Sequence, residues 1–197
     1  MQRPDARRIA GILLAAGKGA RFDPSGARNK LLQPLSGGEP VAVASARNLL
    51  AALPRVFAVI RPQSADLAQA LDAIGCATTE CAEAGHGMAA SLVHGLRSAH
   101  DADGWIIALA DMPHVSPDTI AALADAIAKG ADIAAPSYRG VRGNPVAFSR
   151  RHLPPLLTLQ GDRGARELLK AHPVADVVVD DPGIVRDIDT PADLDRG

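Results

Sequence analysis

The strongest constraint on this chain lies near its start. Residues 9–15, Ile-Ala-Gly-Ile-Leu-Leu-Ala, are apolar without interruption, and the run breaks at Ala16-Gly17. A strand with no polar alternate has no solvent face. It predicts a parallel strand buried on both sides, with helices above and below the sheet. The break carries further information. Ala16-Gly17-Lys18-Gly19 is small where backbone must approach a ligand, and successive N–H groups in such a turn can face phosphate oxygens. Lys18 and Arg21 sit in the turn, and Lys30 opens Lys30-Leu31-Leu32 a little further on. Positive charge therefore gathers around one point, which outlines a triphosphate site.

Two better-known phosphate motifs do not fit. The chain has no G-x-x-x-x-G-K-[ST] string. Phe22 stands where a dinucleotide fingerprint needs its third glycine after Gly17 and Gly19. The next strand, 56–60, ends in Arg61 where that fingerprint calls for a carboxylate. A lone Gly-x-Gly is also explained by a plain tight turn.

Further strands are predicted at 76–79, 105–109, 132–135, 145–148, 174–179 and 185–188. Helices fall between them at 40–53, after Ser64, from Met88, and from the Ser116-Pro117 cap. In the helix from Met88, helical spacing puts Met88, Leu92, Leu96 and Ala99 on the inner face. The breaker-rich stretch 23–29 reads as a mobile loop. Strand–helix alternation implies right-handed crossovers and a mostly parallel sheet, within a single domain spanning 1–197. Apolar residues make up 47% but aromatics only 3%, so the core is built from Ala, Leu, Val and Ile.

A net charge of -1 and few aromatic platforms argue against nucleic-acid binding. No apolar stretch reaches membrane-spanning length, and residues 1–8 are polar, so a cytoplasmic protein is expected. Cys76 and Cys81 lack metal or redox spacing. The six histidines show no ligand spacing and read as surface or capping groups. Asp176, Asp180 and Asp181 read as a solvated acidic end.

Ligands of open α/β sheets collect at the carboxyl ends of strands. Three features fall there: Ala15 to Gly17, Asp111 after the apolar 106–109, and Asp189 after 185–188, with Asp187 two residues before it. A carboxylate after so apolar a run needs a partner, and a magnesium ion held by one or two carboxylates and substrate phosphates would supply it. Asp111 also suits a turn before Pro113, and Asp189-Thr-Pro a helix entrance. Spacing does not choose between Asp187 and Asp189.

The string Leu14-Ala15-Ala16-Gly17-x-Gly19-x-Arg21-Phe22 with Lys30-Leu31-Leu32 resembles the molybdenum cofactor cytidylyltransferase-like nucleotidyltransferases, a MobA-like group. Leu109-Ala-Asp111-Met-Pro113 and Asp187-Ile-Asp189-Thr-Pro191 are similar to that family's two metal motifs. The resemblance spans nearly the whole chain. It implies a Rossmann-like three-layer α/β sandwich of nucleotide-diphospho-sugar transferase type, with Asp111 and Asp189 as Mg2+ ligands. Leu14, Ala15, Ala16, Gly17 and Gly19 would bind nucleotide, joined by Gly85, Gly87, Met88 and Ser91 at base and sugar. Arg21 and Lys30 would neutralise phosphate charge, catalytically with Asp111. Asn144, Pro145, Asp162, Arg163 and Arg166 would lie on the acceptor side.

The 23–29 loop is longer than the family's usual gap before the lysine. The double alanine Ala15-Ala16 goes with cytidylyl transfer, since a methyl where the guanylyl branch has glycine narrows the pocket. Implied substrates are CTP and a molybdopterin-type cofactor, the product passing to a molybdenum enzyme. Guanylyl or other nucleotidyl transfer to a different phosphorylated acceptor is the alternative. So is a non-catalytic carrier of the finished dinucleotide.

Overall fold

A computed structural model describes residues 8–161 and 165–196. The apolar run is strand β1, Ile9–Leu14, and its side chains feed two cores by alternation. Ile9 and Leu13 enter one core, Ala10 and Ile12 the other. On one side β1 pairs in parallel with β2 (Arg55–Ile60), which in turn pairs in parallel with β3 (Ala77–Glu80). On its other side lies parallel β4 (Gly104–Leu109).

Beyond β4 the sheet becomes mixed. It continues through β7 (Val146–Ser149), β5 (Ile133–Tyr138) and the short β6 (Val141–Arg142), in the order β3-β2-β1-β4-β7-β5-β6. Strand β8 (Ala175–Val178) pairs in parallel with β5. Helices α1 (Val41–Ala52), α2 (Ala65–Asp72) and α4 (Pro117–Ala128) cover one face through Leu49, Leu67, Leu71, Ile120 and Leu123. Helices α3 (Met88–Ser98) and α5 (Leu153–Leu157) cover the other through Leu92, Leu96 and Leu156, with α6 (Arg166–Ala171) packed at its edge. The result is a three-layer, mostly parallel, Rossmann-like sandwich. No helix among the described residues is long and apolar enough to cross a membrane.

The two directions of pairing bring distant segments to one end of the sheet. Leu14 and Leu109 are register partners, so the loops after β1 and β4 leave together. Strand β7 runs antiparallel to β4 with Val146 opposite Ile107, so Asn144 and Pro145 arrive at that same end. Strand β8, parallel to β5, sends residues 179–189 there too.

Four readings of the sequence are corrected. Residues 185–188 are not a strand. A 3-10 turn at Pro182–Val185 leads into an extended segment held by the Ile188 N–H on the Asp111 carbonyl at 2.8 Å. Met88 is not on an inner face, for it stands in the first helical turn and is 46% exposed. Asp181 is buried rather than solvated. It accepts from the Ser116 amide at 2.8 Å, the Thr119 hydroxyl at 2.7 Å and the Gly183 amide at 2.9 Å. The loop expected at 23–29 does form, and it is braced internally, Asp23 accepting from both the Ser25 amide and hydroxyl and from the Arg28 amide. These bonds, the Ser25 hydroxyl first, hold the Asp23 carboxyl below the usual carboxylate range.

The last correction is His152, which is buried between Phe148 and His172. Burial, then the charge of His172, push its imidazole below the ordinary value, with Asp132 opposing and Arg151 adding to the shift. The unfolded chain, titrating at about 6.5, takes the proton first as pH falls. Stability present above that pH is therefore lost on passing down through it. Denaturant titrations should give an unfolding free energy that falls between about pH 7.5 and 5.5. The fall should be shallower in His152→Leu but not absent, because burial depresses His114 in the same direction. Equal slopes in the two proteins would mean that His152 is not held neutral in the fold.

Candidate active site

Lys30 is the first residue of a 3-10 turn, Lys30–Leu32. The Asn29 side chain caps that turn by accepting from the Leu31 amide at 3.0 Å, and Leu31 is buried beneath it. The preceding loop folds back on Gly19, whose carbonyl accepts from both Phe22 and Asp23. Gly19 has φ +62, which favours glycine, and buried Phe22 anchors the turn. These local contacts aim the Lys30 ammonium at two carboxylates from far apart in the chain. Its Nζ lies 2.8 Å from Asp111 Oδ2 and 3.2 Å from Asp189 Oδ1. The Arg21 guanidinium donates to Asp189 Oδ2 from the outer side. Arg21, Lys30, Asp111 and Asp189 thus form one cluster of two positive and two negative groups.

The cluster leaves one polar atom over. Asp111 Oδ1 is buried and has no hydrogen-bond partner among the described residues. No group of three or more His, Cys, Asp or Glu suited to a metal occurs among those residues. Any cation here would rest on the two aspartates and be completed by ligand oxygens, the coordination expected of magnesium on a phosphate substrate. The residues fit such an ion. Asp187 and Asp189 are now distinguishable. Asp189 meets Lys30, whereas Asp187 turns to a separate hollow with His114, Arg186 and Asp193. Asp193 fixes the Asp189 backbone by accepting from its amide and from the Thr190 amide and hydroxyl.

Beside this cluster opens a cleft of about 440 Å³. Leu14, Ala16, Gly17 and Lys18 line it from the loop after β1, Ala84, Gly85, Gly87, Met88 and Ser91 from the start of α3, and Leu109 and Asp111 from β4. A Cβ built on Gly17 or Gly85 meets no protein atom within 4 Å. Both glycines therefore face space, not packing. Gly87, with φ 112 and ψ 172, adopts a conformation open only to glycine, and so turns the chain into α3. Of the residues predicted to bind nucleotide, Ala15 and Gly19 do not line the cleft. Ala15 is buried with its amide on the Val59 carbonyl, and Gly19 shapes the turn.

Asn144 and Pro145 line a small hollow under the Asp111 loop, which Ser45 and Asn48 also line. Arg166 is exposed at the start of α6. Asp162 and Arg163 lie outside the described residues. Burial pushes the Cys76 thiol up to about 12, which removes it as a nucleophile at neutral pH.

Sequence reasoning missed the supports of the Asp111 loop. The Ser45 hydroxyl lies 2.9 Å from the Ala110 carbonyl, and the Asn48 amide donates to the Pro113 carbonyl at 2.9 Å. A polar pair three apart, Ser45 and Asn48, on a helix otherwise apolar but for Arg47 was the available signal. It also missed Arg61, which lines the cleft and donates through Nε to the Ala16 carbonyl at 2.8 Å.

A family model described as the MobA-like NTP transferase domain matches residues 11–177. The purine catabolism protein PucB of Bacillus subtilis (strain 168) is 34% identical over 203 residues, covering 95% of this chain and 94% of that protein. Among solved structures, Rv0371c from Mycobacterium tuberculosis H37Rv aligns with a TM-score of 0.82 at 27% identity, covering 98% of this chain and all of its own. A complex of Rv0371c with manganese aligns with a TM-score of 0.77 at 26% identity over 94% of this chain and 95% of that one.

Proposed function

The chain belongs to the MobA-like NTP transferase family, and from that premise we propose that it transfers CMP from CTP to the terminal phosphate of a molybdopterin-type cofactor, releasing pyrophosphate. The observation that carries this reading is the Lys30 ammonium between Asp111 and Asp189, beside an unpartnered Asp111 oxygen and at the foot of the glycine-lined cleft. Ala16 supports the choice of CTP, because it lines the cleft at a position where a glycine would leave more room for a purine.

In this reading Asp111 and Asp189 hold a divalent cation, Mg2+, which supplies charge neutralisation at the α-phosphate. The manganese complex of the Mycobacterium relative is consistent with such a site there. An acceptor phosphate oxygen attacks the α-phosphorus. A new P–O bond forms while the bond to the bridging oxygen breaks, its electron pair leaving with pyrophosphate. The attacking group is already an anion, so no general base is needed and positioning with charge neutralisation is the work of the site. Lys30, with its side chain only 11% exposed, acts where charge builds in the transition state. Arg21, Lys18 and the amides about Gly17 receive the departing pyrophosphate. The positive end of α3 faces the nucleotide. Asn144, Pro145, Asp162, Arg163 and Arg166 form the acceptor side of this proposal.

The product would pass to a molybdenum enzyme, and the Bacillus relative's name makes one acting in purine breakdown the first to test. Pyrophosphate release should require CTP, a divalent cation and the molybdopterin-type acceptor together. Release with GTP in place of CTP would replace the cytidylyl reading by the guanylyl one. Tight binding of the finished dinucleotide with no release under any pairing would make the protein a carrier.

A further inference from the structure

Strand β2 lies on the opposite side of β1 from β4, so its end stands two strand spacings, roughly 10 Å, from the strand that delivers Asp111. The phosphate-directed cations Arg21 and Lys30 cluster at the Asp111 end, whereas Arg61 lines the cleft on the β3 side, where the Cys81 amide on the Ile60 carbonyl brings in the segment carrying Ala84 and Gly85. Arg61 is bonded through Nε to the Ala16 carbonyl, which fixes the plane of its guanidinium. Its terminal nitrogens carry no ion pair with a carboxylate among the described residues. A planar fork with donors unused, held in the cleft away from the Asp111 cluster, is suited to two adjacent acceptors.

We propose that Arg61 determines nucleotide specificity by reading the O2 and N3 acceptors of cytosine, and so separates CTP from UTP. The inference rests on the cytidylyl reading and deepens it. Cytosine presents O2 and N3 side by side as acceptors. Uracil puts an N3–H donor in that place, which opposes the guanidinium donors. Size and polarity then divide the selection. Ala16 in place of a glycine narrows the cleft against purines, and Arg61 rejects the pyrimidine of the same size with the wrong edge. A site built around a buried hydrogen-bond pattern rejects a mismatched edge far more strongly than a shape filter alone.

Isothermal titration of the full chain with Mn2+ and no acceptor provides the test, comparing CTP, UTP and inorganic tripolyphosphate. Wild type should bind CTP roughly 10- to 100-fold more tightly than UTP. Arg61→Gln should bring that ratio close to one by weakening CTP, with tripolyphosphate affinity unchanged. Arg61→Lys, which keeps the charge and loses the fork, should behave like Arg61→Gln. If Arg61→Gln weakens CTP, UTP and tripolyphosphate alike, Arg61 serves the phosphates or the loop, and the inference is overturned. A wild type that prefers CTP and an Arg61→Gln variant that keeps the same ratio overturn it while leaving cytidylyl transfer intact. No preference for CTP in wild type overturns both.

Discussion

Asp111→Asn should lower turnover about 1000-fold, a loss of about 4 kcal/mol in transition-state stabilisation, while leaving the protein at least as stable as wild type. The two halves have one cause. Asp111 ends an apolar strand with one oxygen on Lys30 and the other buried without a partner. Desolvating that oxygen costs folding free energy, and no hydrogen bond among the described residues offsets it. Asparagine keeps the shape, removes the charge and leaves Lys30 paired with Asp189. Melting temperatures with and without Mn2+ plus CTP separate this from a merely structural role. Ligand binding to the native state should raise the wild-type value and leave that of Asp111→Asn nearly unmoved. A variant that turns over normally, or one that gains the same ligand-induced stability, would remove Asp111 from the metal site.

Much of this candidate site is legible in the sequence, and the reason differs from residue to residue. The turn at Ala16-Gly17 announces itself because an unbroken apolar run has one structural meaning and its interruption falls at a strand end. Asp111 is visible by the same logic, a charge placed where a charge is expensive. Asp189 is less legible, because the strand that the sequence predicts before it does not form. Val185 and Ile188 are three apart, not two, so they never had strand alternation. What holds that segment is a single amide bond to the Asp111 carbonyl.

Asp181 shows the other limit. Two consecutive aspartates before a turn look solvated, and nothing local reveals that the Ser116 amide and the Thr119 hydroxyl, more than 60 residues away, meet the Asp181 carboxylate. Met88 failed for a related reason. Helical spacing assigns a face, but a first-turn residue has cleft, not neighbours, beneath it. Arg61 read only as a carboxylate that was not there. Its meaning depends on which strand neighbours which, and that is a property of topology.

The second large effect follows from how the 182–185 turn is wedged in place. A Cβ on Gly183 would stand 2.0 Å from the His114 carbonyl oxygen and 2.8 Å from the Val115 nitrogen. On the other flank, a Cβ on Gly143 would stand 2.1 Å from the Ile184 carbonyl oxygen. All of these are backbone atoms, and no rotamer change relieves them. The turn cannot simply shift away, because Asp181 ties it to the start of α4 through Ser116 and Thr119. Gly183→Ala should therefore destabilise the protein by on the order of 3–5 kcal/mol, the range of severe overpacking. For a chain of this size the melting temperature should drop by roughly 10 °C. Gly37, whose added Cβ would meet nothing within 4 Å, provides the control, and Gly37→Ala should stay within about 0.5 kcal/mol of wild type.

Function should fall further than stability at temperatures where the variant is still folded. The turn sets the path of residues 186–189, and Asp189 must reach the Lys30 ammonium now 3.2 Å away. A displacement of about 1 Å is enough to cost roughly 100-fold in a site that works by positioning. Measured below its own melting transition, Gly183→Ala should show reduced turnover and a smaller Mn2+-plus-CTP shift, whereas Gly37→Ala keeps both. A Gly183→Ala variant that melts with wild type would show that the backbones of 114–115 and 183 leave room for a methyl. One that melts early but keeps full turnover would mean that Asp189 reaches the site without help from this turn.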